Sequence, residues 1–250
     1  MSKKETRLRE VPAVRKAIAI LDLLSREQEP ISLNIISKKL DQIPSTCLHI
    51  LRVLVSEGLV SVDTSTKRYD LDVGILSLAR RLLKRNEHIR LLKPELDRLA
   101  LQYNVTLIAV KIIDIQHSVV ISLSHSRSTM RLNVEIGSRF PTLVSATGRC
   151  YAAFGGQPAS TLLDHFHKLK WSKPPSLEDW TQQVEETKRN GYAIDEGNYI
   201  AGQMIISAPL VEQGIMRYGI AAVGEVDLVN ESKSDLAKAI LATIKNVESV

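Results

Sequence analysis

Ser45, Thr46, His49 and Arg52 are the first side chains here whose types and spacing could do chemistry. They fall within two turns of one helical segment, off the apolar face formed by Cys47, Ile50, Leu51 and Leu54. Short hydroxyls, an imidazole and a guanidinium near a helix start can hydrogen-bond base edges and phosphates. Lys67 and Arg68 follow in a polar turn and suit contacts to a phosphate backbone. The expected chemistry is recognition of double-stranded DNA.

Bond-making chemistry is not expected. Of the six histidines, only Asp164-His165-x-His167 forms a tight group, and residues two apart on a helix face different ways. No metal site and no cofactor are therefore expected. Phosphate-binding P-loop, dinucleotide, G-x-S-x-G and H-E-x-x-H patterns are absent. Ser145 is followed by Ala146, Thr147, Gly148 and Arg149, which lacks the lysine of a Ser-x-x-Lys nucleophile, and arginine is no base at neutral pH. No residue is assigned a catalytic role. Two other stretches suit ligand contact. Residues 137–148 (GSRFPTLVSATG) feed a helix start whose free N–H groups suit an anionic or carbonyl-bearing ligand. In residues 192–202 (YAIDEGNYIAG), Asp195 could accept a hydrogen bond or pair with a cation.

The elements that must position these residues follow from periodicity. Pro12 opens a helix to about Glu27, with Val14, Ala17, Ile18, Leu21 and Leu24 as its apolar stripe. Ser32 caps a second helix bearing Ile35, Ile36 and Leu40. Pro44 opens the third, which Gly58 ends. Strands at 59–62 and 68–71 complete a winged helix-turn-helix over residues 1–71. Residues 73–84 predict an amphipathic linker helix, within a linker spanning 72–88 and suited to dimerisation. Residues 89–250 predict an α+β domain with a mostly antiparallel sheet. Its helices fall at 89–103, 147–154, 159–169, 177–190 and 231–247, and its strands at 105–113, 118–124, 131–135, 192–195, 204–211 and 217–226.

Composition bounds the class. At 250 residues and 44% hydrophobic content, the chain can build two cored domains. No apolar run approaches the ~20 residues a membrane helix needs. The charged N-terminus has no apolar signal core, and two distant cysteines fit a reduced interior, so a cytoplasmic location is expected. Residues 1–90 hold 17 Lys or Arg against 11 Asp or Glu, while residues 91–250 hold 16 against 17. The basic excess lies wholly with the helix-turn-helix, as a polyanion partner for that half requires.

In order and spacing, several segments resemble the IclR family of bacterial transcriptional regulators. They are residues 11–24 (VPAVRKAIAILDLL), Pro44-Ser45-Thr46, the Glu57–Val60 wing entry, and Tyr69-x-Leu71. In the second domain, Gly137, Pro141, the run Ser145 to Arg149, Asn190-Gly191-Tyr192, Gly202 and Ser207 to Leu210 continue the likeness. The resemblance implies a GAF-like effector domain, a homodimer or homotetramer on a pseudo-palindromic operator, and control by a small metabolite. Carried over by position, the effector contacts would be Ala146, Thr147, Asp195, Ile205, Ala222 and Gly224. Relatives that bind small oxo-acids tend to carry serines where Ala222 and Gly224 align, so a more apolar, aromatic acid is expected here. His49 stands where many members carry arginine, and Leu48 where many carry an aromatic residue. The competing expectation is a GAF-like metabolite-binding protein or enzyme whose head binds protein; loss of a salt-sensitive polyanion interaction on removing the head separates the two.

Overall fold

Proline starts two of the helices in the first part of the chain, where its missing N–H leaves no bond unmade. These are α1 (Pro12–Leu24) and α3 (Pro44–Ser56). The computed structural model describes residues 11–85, 87–125 and 134–248. Contacts divide the chain into two units, one ending at Arg85 and the other beginning at Asn86.

In the first unit, α1, α2 (Leu33–Lys39) and α3 enclose a core of Ile20, Leu24, Ile36, Cys47, Leu51 and Leu54. The expected α1 stripe is rotated. Val14 and Ile18 are exposed, whereas Ile20, outside that stripe, is fully buried. Ile35 of the expected α2 stripe is also exposed. Ser32 occupies the α2 cap position without a side-chain cap bond. It belongs instead to a short strand, β1 (Ile31–Ser32), that pairs with β3 (Arg68–Leu71). With β2 (Val60–Val62) this makes a three-stranded antiparallel wing of order β1-β3-β2. Gly58, at φ +67°, ends α3. The Leu59 N–H donates to the Leu54 carbonyl (2.9 Å) and the Gly58 N–H to Val55 (3.0 Å), which satisfies two terminal carbonyls and turns the chain into the wing. Helix α4 (Gly74–Arg85) then begins against that turn, its Gly74 N–H donating to the Gly58 carbonyl (3.1 Å). Val73 and Leu76, from the expected dimerising stripe, are exposed in the single chain.

The second unit is built on a six-stranded sheet in which every pairing is antiparallel, of order β6-β5-β4-β9-β8-β7. The strands are β4 (Thr106–Ile112), β5 (Ser118–Ser124), β6 (Arg139–Phe140), β7 (Ala193–Glu196), β8 (Gln203–Glu212) and β9 (Ile215–Glu225). Of the strand expected at 131–135, residues 131–133 lie outside the described residues; Val134 and Glu135 are not in a strand, and β6 follows instead.

Both faces of the sheet are covered. One packs on α5 (Glu87–Tyr103) and α10 (Lys233–Glu248) through Leu92, Leu96, Leu99, Leu236 and Ile240. The other packs on α6 (Ser145–Phe154), α7 (Ala159–Phe166) and α8 (Leu177–Asn190). Between β9 and α10 lie α9 (Val226–Val229) and a 3₁₀ turn, Asn230–Ser232. Because side chains alternate across a strand, β9 sends Ile220 and Ala222 toward α5 and α10, and Ala221 and Val223 toward α6.

Helix α6 approaches the segment before it very closely. A Cβ at Gly148 would lie 2.0 Å from the backbone carbonyl of Leu143. Gly148→Ala should therefore cost about 3 kcal/mol or more, seen as a fall of roughly 10 °C in thermal unfolding.

Candidate functional site

Two surfaces gather the candidate residues, one in each unit. On α3, Ser45, His49 and Arg52 are exposed and Thr46 is half-buried, while Cys47, Leu51 and Leu54 lock the opposite face into the core. The helix therefore presents the polar face read from its spacing. Among the described residues, His49, Arg52 and Lys67 make no ion pair or side-chain hydrogen bond, so their polar groups are free for a partner. Arg68 is partly committed, since its Nη1 donates to the Pro30 carbonyl (3.2 Å) and steadies the wing against β1.

The wing tip has its own lock. The Asp63 carboxylate accepts from the Ser65 N–H (2.7 Å), the Ser65 hydroxyl (2.6 Å) and the Thr66 N–H (3.0 Å). This turn places Lys67 in the left-handed region at φ +55°. The Ser65 hydroxyl, then the two backbone donors, hold the Asp63 carboxyl down at about 2.

In the second unit a cavity opens between the sheet and the start of α6, enclosing about 540 Å³ of space that is partly open to solvent. Its floor is Ile108, Val110, Ile205, Ala221 and Val223 from three neighbouring strands. Val144, Ser145 and Thr147 form one wall; Phe140, Pro141, Tyr199 and Ile200 close the sides. Among the described residues, no charged side chain lines it. Ser145 opens α6 at φ +59°, and the cap position before it, Val144, supplies no side-chain acceptor. The first-turn N–H groups thus carry helix-dipole polarity at an apolar cavity. The Thr147 hydroxyl donates to Ser207 Oγ (3.1 Å), which ties that wall to β8.

The expected effector residues divide sharply. Thr147 and Ile205 line the cavity. Ala146 is buried in the packing beneath α6 and does not line it. Ala222 packs on the α5 and α10 side, and a Cβ at Gly224 would meet Val229 and Val105, on that side too. This corrects the positional assignment by one residue: Ala221 and Val223 are the β9 side chains at the cavity, because a one-residue slip moves a strand position to the other face. Sequence could not reveal this, since β9 is apolar on both faces from Gly219 to Gly224 and offers no polar alternation there to orient it.

Asp195 is the second correction. It does not line the cavity but forms a buried ion pair with Arg149 (2.9 Å), the side chains being 0% and 1% exposed. Arg149 also donates through Nε to Gln183 (2.6 Å) and through Nη2 to Asn198 (2.8 Å). The other Asp195 oxygen accepts from the Asn198 and Tyr199 N–H groups. All three Arg149 nitrogens and both Asp195 oxygens are engaged within the protein, which makes the pair structural. Nearby, burial pushes the Cys150 thiol up to about 12, where it is inert. His165, of the Asp164-His165-x-His167 group, lies within 3.0 Å of the Thr161 carbonyl.

A winged helix-turn-helix with a free polar recognition face, followed by a separate α+β domain with its own small-molecule cavity, defines a ligand-responsive DNA-binding regulator. The chain belongs to the IclR family of transcriptional regulators. It matches the IclR helix-turn-helix domain over residues 13–64 and the bacterial transcriptional regulator IclR C-terminal domain over residues 80–249. It is 25% identical, over 80% of its length and 74% of the relative's, to the HTH-type transcriptional repressor AllR of Klebsiella pneumoniae. An IclR-type regulator from Alicyclobacillus acidocaldarius shares its fold with a TM-score of 0.82 at 26% identity, covering 96% of this chain and 98% of that one. An IclR homologue from Microbacterium hydrocarbonoxydans, whose crystal structure contains 4-hydroxybenzoate, superposes with a TM-score of 0.79 at 12% identity, covering 95% and 98%. Among the described residues, no helix is long and apolar enough to cross a membrane.

Two outcomes follow from the geometry. Asp195→Ala should lower stability in urea by about 3–5 kcal/mol, because Arg149 is then buried and unpaired. The lowered Asp63 value means that folding favours its ionised form. Its contribution to the wing is full above the ordinary carboxylate value of 3.8 and fades as pH falls toward 2. The Ser65 and Thr66 amide resonances should report that loss while the α3 resonances stay in place.

Proposed function

We propose that the protein is a cytoplasmic repressor that binds a pseudo-palindromic operator as a homodimer or homotetramer. A compact carboxylic acid with an apolar, aromatic body, entering the effector-domain cavity, would control its binding. The carrying observation is the combination of five apolar floor residues with the uncapped start of α6 at one wall. A carboxylate suits the α6 N-terminus, where unpaired N–H groups and the helix dipole favour an anion. The ring suits Ile108, Val110, Ile205, Ala221 and Val223, and the Ser118 hydroxyl on the lining offers a polar contact for a ring substituent. The repressor role of the AllR relatives and the aromatic acid bound by the Microbacterium homologue support the same reading. In the first unit, Ser45, Thr46, His49 and Arg52 contact base edges or phosphates, and Lys67 and Arg68 hold the backbone. The acid acts by binding one arrangement of the heads better than the other, and its effect is limited to that difference in affinity.

The test is selection of operators from random duplexes, followed by titration with 4-hydroxybenzoate, benzoate and pyruvate. Expected are a two-fold-related site and a response to the aromatic acids at concentrations where pyruvate is silent. Binding without sequence preference would remove the operator reading, and pyruvate as the tightest ligand would remove the apolar-acid reading. Arg52→Ala should cost operator affinity about tenfold or more. Ala221→Trp, which fills the cavity, should abolish the acid response while operator binding survives.

A further inference from the structure

We infer that Ile43 is a specificity-determining residue that packs on the C5 methyl of a thymine in each operator half-site. The inference rests on the DNA-binding reading of α3 and extends it to a residue outside the polar face.

Ile43 is the N-cap residue of α3, with extended backbone (φ −66°, ψ 125°), and its carbonyl accepts the Cys47 N–H (3.1 Å). That position favours Ser, Thr, Asp or Asn, whose side chains bond the first-turn N–H groups, and disfavours isoleucine. Here no side chain caps the helix. Packing does not explain the choice. Ile43 is 66% exposed and belongs neither to the core of the first unit nor to the apolar side chains packed around it. Its neighbour Gln42 turns inward instead, accepting from the Cys47 thiol (3.5 Å). A residue that breaks a local rule without structural gain marks a functional position.

Its surroundings select the occupant. Ile43 is separated from the exposed Ser45 by Pro44 alone and lies at the end of α3 whose side chains reach base edges. The polar face of α3 carries His49 and Arg52 without acidic partners among the described residues, and the first turn of α3 holds no acidic side chain. A second copy docked there would oppose cation to cation, whereas a polyanion is attracted. Within the major groove only thymine offers a methyl group, and apolar side chains recognise it by contact. Leaving the α3 N–H groups uncapped also frees them for a phosphate.

Operators selected with the wild-type protein provide the test, with each thymine replaced in turn by deoxyuridine, which removes only the methyl group. One position per half-site should then weaken wild-type binding about fourfold, the worth of one buried methyl-sized group. Ile43→Ser should bind the thymine and uracil forms equally, and Ile43→Val should keep part of the discrimination. Unchanged circular dichroism melting would show that both variants fold. If operators are selected but no deoxyuridine substitution matters, or Ile43→Ser still distinguishes the methyl, the inference fails while operator binding stands. If Ile43→Ser instead shifts the sedimentation of the free protein and leaves discrimination intact, the residue belongs to a protein interface and the inference again fails. If no operator is selected at all, the reading on which the inference rests falls with it.

Discussion

A single buried guanidinium holds the cavity side of the second unit together. Arg149 projects from α6 and reaches α8 through Gln183, β7 through Asp195, and the following loop through Asn198. A buried charge is tolerated only with this density of partners. The cost of removing it from water is offset by a carboxylate and two amide oxygens, while Asp195 gains backbone donors from Asn198 and Tyr199. The effect is positional. The first turn of α6, one wall of the cavity, is fixed at its far side by the ion pair and beneath by the bond from Thr147 to Ser207. Tyr199 and Ile200, which close the cavity, follow directly from the loop that Asp195 organises.

Local chemistry made some elements plain in the sequence. Helix α8 was readable to the residue because its signals agree. Ser176 caps Asp179, acidic residues lie in the first turn, Lys188 and Arg189 lie in the last, and Gly191 follows at φ +78°. Helix α3 and the wing were equally legible, since Pro44 and Gly58 bracket one and a polar turn divides the other. The rotated stripe of α1 had a different origin: Val14 and Ile18 are as apolar as Ile20, and only the packing partner decides which is covered. Strand β1 is two residues long and exists through pairing with β3, so no local pattern announces it.

The effector site shows the limit most clearly. Resemblance pointed to α6, β8 and β9, which border the cavity, but both strands are buried on both sides along most of their length and are almost wholly apolar from Met204 to Leu210 and from Gly219 to Gly224. Such runs fix a strand without fixing which face is which. The one-residue displacement from Ala221 and Val223 to Ala222 and Gly224 arose there. Asp195 was misjudged for the complementary reason. An acidic residue leaving a strand beside a loop looks available to a ligand, and its partner is 46 positions away in the chain.

The alternation along β4, β8 and β9 also separates two tasks by parity. Ile108, Val110, Ile205, Ala221 and Val223 face the cavity, while Leu107, Ala109, Ile206, Ile220 and Ala222 fasten the sheet to α5 and α10. Changes in volume on the cavity side alter the space inside it and leave the opposite seam untouched. The lining of the cavity can thus be rewritten at every second position of three strands, with the load-carrying half of each strand kept constant.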